Sequence, residues 1–480
     1  MLRQPRRALH ARIADTLEKQ FADIAEGQPE VLARHCTEAG LIDKAAALWG
    51  KAGLRSQARS ALTEAAEQLT RALHQIGTLP STPVLRREQI KFQMALANAL
   101  MHTKGFAAPE TKASLDDART LIERAEALGD SLENSLALFS VLYGYWVASY
   151  VGFDGDVMRS LAAQFLAGAE KSGATVPLMI GHRIMGVSLL FTGSITRARA
   201  HFDQALALYN PAEHGPLAHL FGQDARITTL FYRAYTLWVL GYPDVAMADT
   251  NQALRYAREI GQPAGLMHAH NHATLVYLFC GKYVEGNALI DEALALADEK
   301  GAAFWKNHAT AHQGCIFALT GKPADAVQTL TSAIDWRLST GSKNWHTWNL
   351  THLTRAYAEL CQFDEARRCG DEGIAMVEAT KEKLWEAEVY RVAGETVLAA
   401  PHLDEAKAAS YFERSLAIAR DQQAKSWELR AAMSMARLWR DQGKRDEARD
   451  LLAPVYGWFT EGFDTLDLKE AKALLEQLTS

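Results

Sequence analysis

Apolar residues along this chain recur at helical spacing from end to end. Leu9, Ile13 and Leu17 fall at four-residue steps and predict an amphipathic helix over 6–21. Pro29 opens a second helix, where its missing N–H costs nothing, and Gly40 closes it. Further helices are predicted over 43–54, 56–76, 84–103, 108–128, 132–150 and 154–172, with a break at Gly77–Pro83 (GTLPSTP). No segment sustains period-two alternation, so no strands are expected.

From about residue 175 the pattern repeats. Gly241, Gly281 and Gly321 each open a copy, at steps of 40 residues. Each second helix carries a small residue, a larger one four later and a small one three later. The copies are Ala198-Phe202-Ala205, Ala246-Thr250-Ala253, Gly286-Ile290-Ala293, Ala326-Leu330-Ala333, Ala366-Gly370-Gly373, Ala408-Phe412-Ser415 and Ala448-Leu452-Val455. Small residues at this spacing let paired helices approach while the larger one fills the groove. The pattern resembles the tetratricopeptide repeat of about 34 residues, lengthened by roughly a turn per helix. The expected fold is all-α, a tetratricopeptide-like α-solenoid over 1–480, with divergent helical repeats in 1–174 and regular ones in 175–480. The interval Gly193–Gly241 is eight residues longer than the others, with its excess at Tyr209–Asp224. Insertions in repeat proteins map to loops on one face, which can be a binding face or simply a tolerated loop.

Composition narrows the function classes. Hydrophobic residues make up 48%, enough for a continuous core, and the net charge of −6 argues against nucleic-acid binding. The basic cluster Arg3, Arg6, Arg7 and Arg12 reads as an exposed first helix. The five cysteines are scattered without a CxxC pair, which indicates neither a zinc site nor a disulfide framework and suits a cytoplasmic chain. The start MLRQPRRALHARI lacks the apolar region of a signal peptide. Asn134–Phe153 is uncharged and long enough to span a bilayer, but it reads as a buried solenoid helix among similar neighbours. No membrane association is expected.

Two columns run through the first helices of the repeats. Trp305, Trp345, Trp385 and Trp427 recur at steps of 40, 40 and 42, each expected just inside its helix. They read as a stacking column, with a ligand-contacting ladder as the alternative. His268, His272, His308, His312 and His352 share the 40-residue register, so the first four should meet on adjacent helices. HATAH lacks the glutamate of a hydrolytic zinc motif. The histidines are therefore expected to line a groove or bond between helices, with ligand contact as the alternative and no metal or cofactor. Tyr232, Trp305, His308, Trp345 and Trp348 form an aromatic and histidine-rich stripe that could wall a small-molecule pocket. Gly281-Lys282, Gly321-Lys322 and Gly443-Lys444 lack the phosphate-loop form and read as helix-capping turns. With no GxSxG elbow and carboxylate pairs only on solvated faces, no catalytic residues are assigned and no enzyme is expected.

Ala424–Leu475 (AKSWELRAAMSMARLWRDQGKRDEARDLLAPVYGWFTEGFDTLDLKEAKALL) resembles the C-terminal repeat region of bacterial class III adenylate/guanylate cyclase-associated signal-transduction ATPases. Trp385–Glu395, His35–Gly53 and Ala95–Thr111 resemble further blocks of that region. In that family a cyclase domain and a nucleotide-binding ATPase precede the repeats, and neither is expected in this chain, so no catalytic residue carries over. The resemblance implies a regulatory or sensor arm whose partner is a cyclase or ATPase module. A small-molecule sensor is the alternative function.

Overall fold

The computed structural model describes residues 3–106, 108–129, 136–214, 224–402 and 404–479. Among the described residues every regular element is a helix. The chain divides into two compact units, Met1–Tyr145 with Pro216–Gly222, and Trp146–Gly215 with Gln223–Ser480.

The first unit is built from hairpins that include Pro29–Ala39 with Ile42–Ala58 and Leu62–Ile76 with Pro83–Thr103. Leu32, Cys36, Trp49, Leu69 and Phe92 share one core. Glycines let its helices close: a Cβ on Gly50 would lie 1.9 Å from the Phe92 ring, and one on Gly53 2.5 Å from Leu69. The helix expected over 56–76 is not continuous. Ile42–Ala58 runs past its predicted end, and the chain then turns at Ser60, whose φ is 59°. Serine takes here the left-handed conformation that glycine usually supplies, so the turn carried no glycine signal. Of the uncharged stretch 134–153, Leu136–Val151 is helical and residues 134–135 lie outside the described set. No described helix is long and apolar enough to cross a membrane.

The second unit is a tetratricopeptide-like solenoid. Its inner helices are Thr175–Phe191, Ala225–Val239, Pro263–Phe279, Ala303–Leu319, His346–Glu359, Glu386–Ala399 and Lys425–Asp441. Each is followed by an outer partner, from Ile195–Ala207 through Arg445–Gly457, and Leu466–Thr479 closes the stack. All seven small–large–small triplets are buried. In three of them the large residue seats against a glycine of the preceding inner helix. A Cβ on Gly186 would come within 2.6 Å of Phe202, on Gly314 within 2.7 Å of Leu330, and on Gly394 within 2.5 Å of Phe412. Gly281 and Gly321 cap the joining turns at φ 71°, as their sequence position implies.

Inner and outer helices are buried differently. Tyr283–Lys300 buries only a stripe, Gly286, Leu289, Ile290, Ala293 and Ala297. Ala225–Val239 buries 13 of its 15 residues. The cause is the tightness of the coil, in which residues roughly one superhelical turn apart touch. The amides of Lys343 and Asn344 donate to the Val151 carbonyl at 2.8 and 3.0 Å. The Ser426 hydroxyl donates to the Trp238 carbonyl, and Arg430 Nη2 to the Phe279 carbonyl at 3.3 Å. These carbonyls belong to last turns of helices, which lack intrahelical donors. The amide of Asp244 donates to Glu461 at 2.9 Å, and that of Gly462 to Asp244 at 3.0 Å. The next turn of the coil thus satisfies the orphan groups of the previous one.

Candidate functional site

All nine candidate residues lie in the second unit, and all are buried. His272 is the most exposed at 9%, and Trp348 the least at 2%. They do not line an open groove. They fill the axis of the coil, because the inner helices point their side chains inward from every direction. Trp345 stacks at 5.5 Å from Trp385, and Trp385 lies 6.3 Å from Trp427. Trp348 adds a ring 4.7 Å from Trp385 and 5.6 Å from Phe279. Trp305 packs instead on His268, at 5.6 Å. Two members of the column are not inside helices. Trp345 is the N-cap of its helix with φ 65°, and Trp385 ends a short 3₁₀ turn, Lys383–Trp385. Trp345 tolerates its strained backbone because its amide donates to Glu382 Oε1 at 3.0 Å.

Within one inner helix His268 and His272 are 4.2 Å apart between ring centroids, and within the next His308 and His312 are 6.3 Å apart; across the two helices His268 and His272 are near enough to act on His308. The Tyr235 hydroxyl lies 2.6 Å from His272 Nδ1 and 3.0 Å from its carbonyl. The Tyr232 hydroxyl donates to that of Tyr150 at 3.1 Å. Burial holds His272 and His312 down to about 3, and pushes His308 well below the usual histidine range with the Arg337 charge adding to it. All three are therefore neutral near pH 7. Among the described residues no three His, Cys, Asp or Glu side chains converge as a metal site requires.

Arg337, Asn344 and Glu382 complete this interior and carry no motif in the sequence. Arg337 Nη2 donates to both the carbonyl and Oδ1 of Asn344 at 2.6 Å. Glu382 accepts from the Trp345 amide and, at 2.8 Å, from the Thr347 hydroxyl. Burial outweighs these bonds and raises its carboxyl to about 7, while burial lowers Arg337 to about 10.

His352 lies at the edge of this interior, beside Trp348 at 4.4 Å, and borders a cavity of about 130 Å³. The cavity is walled by charge. Arg391 holds Glu388 through two hydrogen bonds of 2.7 Å and also pairs with Glu395. Arg430 donates to Asp467 at 2.8 Å, and Arg437 to Glu470 at 2.8 Å. Burial opposes ionisation of Glu388, but Arg391 and Arg430 hold it down to about 2. Register betrays part of this wall: Arg355, Glu395 and Arg437 follow at the same steps of 40 and 42 residues as the tryptophans.

The insertion, read as either a binding face or a tolerated loop, is described only in part. The Tyr209 hydroxyl donates to Asp224 Oδ2 at 3.0 Å and ties its two ends, and Asp224 caps Ala225–Val239. Residues 215–223 lie outside the described set.

No protein-family profile matches the chain. An uncharacterized protein of Rhizobium meliloti (strain 1021) is 24% identical over 275 residues, which is 57% of this chain and 25% of that protein. The chain thus spans about a quarter of the length of the curated relative it matches. Among solved structures, a Rap protein complexed with competence and sporulation factor superposes with a TM-score of 0.55 at 13% identity, covering 79% of this chain and 99% of that one. A signal-transduction ATPase with a tetratricopeptide repeat sensor from Pyrococcus horikoshii matches at a TM-score of 0.38 and 11% identity, over 86% of this chain and 55% of that one. The similarity to the Rap protein is one of fold, and it places the chain among tetratricopeptide-like helical solenoids.

Proposed function

We propose that the chain is a non-catalytic, cytoplasmic repeat scaffold, a regulatory arm that mediates protein–protein interaction in signalling. The observation that carries this reading is the closed hairpin coil. Its inner layer is spent on its own packing, which leaves the outer helices and the turn-bearing ends for a partner. Trp458, Phe463 and Leu466 are large apolar residues exposed near the last hairpin, at 38%, 49% and 40%. A solenoid of this fold, the Rap protein, has been captured in complex with competence and sporulation factor. The resemblance of Ala424–Leu475 to cyclase-associated ATPases supports an ATPase or cyclase module as the partner, rather than nucleic acid or membrane.

The test is co-purification of the full chain with such a module from the same genome. A stoichiometric complex by light scattering, weakened by Trp458→Ala with Phe463→Ala, is expected. No complex with any such module would count against the scaffold. The chain alone should form no cyclic nucleotide.

A second reading, small-molecule sensing, is favoured by one observation: the charged cavity beside His352. A metabolite screen that raises the melting temperature in proportion to the logarithm of concentration supports it.

A further inference from the structure

The cavity beside His352 has an uneven hydrogen-bond account. Arg391 is saturated by Glu388, Glu395 and Ser434. Arg430 is held by Asp467 and the Phe279 carbonyl, and lies over the rings of Trp238 and Trp427 at 5.0 and 5.2 Å. Arg437 has Glu470. Three side chains are left over, and one of them is Trp348, whose indole Nε1 is buried without a hydrogen-bond partner among the described residues. Neither ring nitrogen of His352 has a hydrogen-bond partner among the described residues, although the residue is only 4% exposed. Arg355 Nε is buried without a partner, and its closest carboxylate contact, to Glu395, is a loose 3.9 Å. Buried polar groups left unbonded each cost about 1–3 kcal/mol, so a native structure rarely keeps them idle.

We infer that this cavity is a binding site for a small carboxylate bearing a neighbouring hydrogen-bond donor, a short α-hydroxy or α-amino acid. The inference rests on the sensing reading and gives it a ligand class. Arg355 supplies the planar fork that matches a carboxylate. A neutral imidazole offers one N–H and one lone pair, so His352 asks for an acceptor and a donor on the same ligand. Burial, with Arg355 and Arg430 nearby, keeps His352 down at about 3 and hence neutral. Phe279, Trp348 and Met433 supply an apolar wall for a short side chain. The cavity, about 130 Å³, suits a ligand of a few heavy atoms better than a long peptide or a nucleotide. The surrounding ion pairs satisfy one another and leave little net charge to compete.

The experiment is thermal shift with calorimetry on the full chain, using L-lactate, L-alanine, glycine and acetate as probes. Lactate, or alanine with glycine, should raise the melting temperature linearly with the logarithm of concentration, and acetate, which lacks the neighbouring donor, should bind more weakly. Arg355→Lys keeps the charge but loses the fork, and should weaken binding roughly tenfold, the worth of one charge-assisted hydrogen bond. His352→Phe should abolish the preference for the hydroxy or amino acid over acetate, and Arg355→Gln guards against a variant that fails to fold. If none of the four probes binds, the ligand class is wrong. If they bind equally well to Arg355→Lys and Arg355→Gln, the site is elsewhere. A metabolite outside this class that raises the melting temperature would leave sensing intact while overturning this inference. Silence across the whole screen would overturn both and leave partner co-purification untouched.

Discussion

Acid should unfold the second unit well before ordinary carboxylate chemistry would. His272, His312 and His352 sit at about 3 in the folded state because they are buried, against an ordinary 6.5. A group with a depressed folded pKa contributes stability in full above its unfolded value and loses it as pH falls through the interval. The window here runs from about pH 6.5 down to about 3. Each pH unit inside the window costs about 1.36 kcal/mol per histidine, so each loses about 2 kcal/mol between pH 7 and 5, and the three together about 6. Glu382 works the other way. Its folded pKa is raised to about 7 from 4.5, so its contribution is present at low pH and lost as pH rises through 7. Over the same step it returns about 2 kcal/mol, which leaves a net loss of about 4. That is a large share of the ~5–15 kcal/mol that holds a typical domain together. Ten of the eleven tryptophans belong to the second unit, so intrinsic fluorescence in a denaturant titration reports on it directly. The midpoint should fall clearly from pH 7 to pH 5. Glu382→Gln removes the opposing contribution and should steepen the loss to about 6 kcal/mol. Equal midpoints at the two pH values, or a Glu382→Gln variant with the slope of the parent, would refute the burial argument.

Other consequences follow from the packing. Trp385 is fully buried at the crossing of the column, so Trp385→Ala should cost about 3–5 kcal/mol in the same denaturant titration, whereas Trp458→Ala at the surface should cost well under half as much. Gly186→Ala puts a Cβ 2.6 Å from the Phe202 ring and should cost about 1–3 kcal/mol, and adding Phe202→Leu should recover part of the lost melting temperature. Arg391→Ala leaves the buried Glu388 with only the looser Arg430 contact at 3.6 Å and should cost about 3 kcal/mol; the double variant with Glu388→Gln should be milder than the single one.

The repeat was legible because its signal is steric. A triplet such as Ala326-Leu330-Ala333 must place its small residues wherever the helix axes approach, so the same spacing returns each period. The same signal was present, and passed over, in the first unit: Ala65-Leu69-Ala72 and Ala118-Ile122-Ala125 have the identical spacing and are buried. Their periods are irregular, and without a neighbour at a fixed step a lone triplet looks like any amphipathic helix. The proximity of the histidines was readable for a related reason, since a shared register on adjacent parallel helices brings equal positions together.

Closure of the axis was not readable, and it decides what the columns mean. Register tells which residues of neighbouring repeats are adjacent; it does not tell how far the coil advances per turn. The contacts that fix that advance pair Val151 with Asn344, Trp238 with Ser426 and Asp244 with Gly462, about 190–220 residues apart, and each has a backbone atom on at least one side, which no side chain marks in the sequence. In a wider coil the stripe from Tyr232 to His352 would face water and be a pocket wall. In this coil it is core, and some polar members of that core are held by one another: Tyr235 by His272, Glu382 by Trp345 and Thr347. What distinguishes the margin beside His352 is a cavity next to its unpaired groups. There the column Arg355, Glu395 and Arg437 brings alternating charge into the space below His352, and the pairing leaves one guanidinium nitrogen, one imidazole and the Trp348 indole N–H over. A filled axis therefore relocates the search for a ligand from the middle of the solenoid to its charged margin, where the fold has left donors that its own acceptors do not reach.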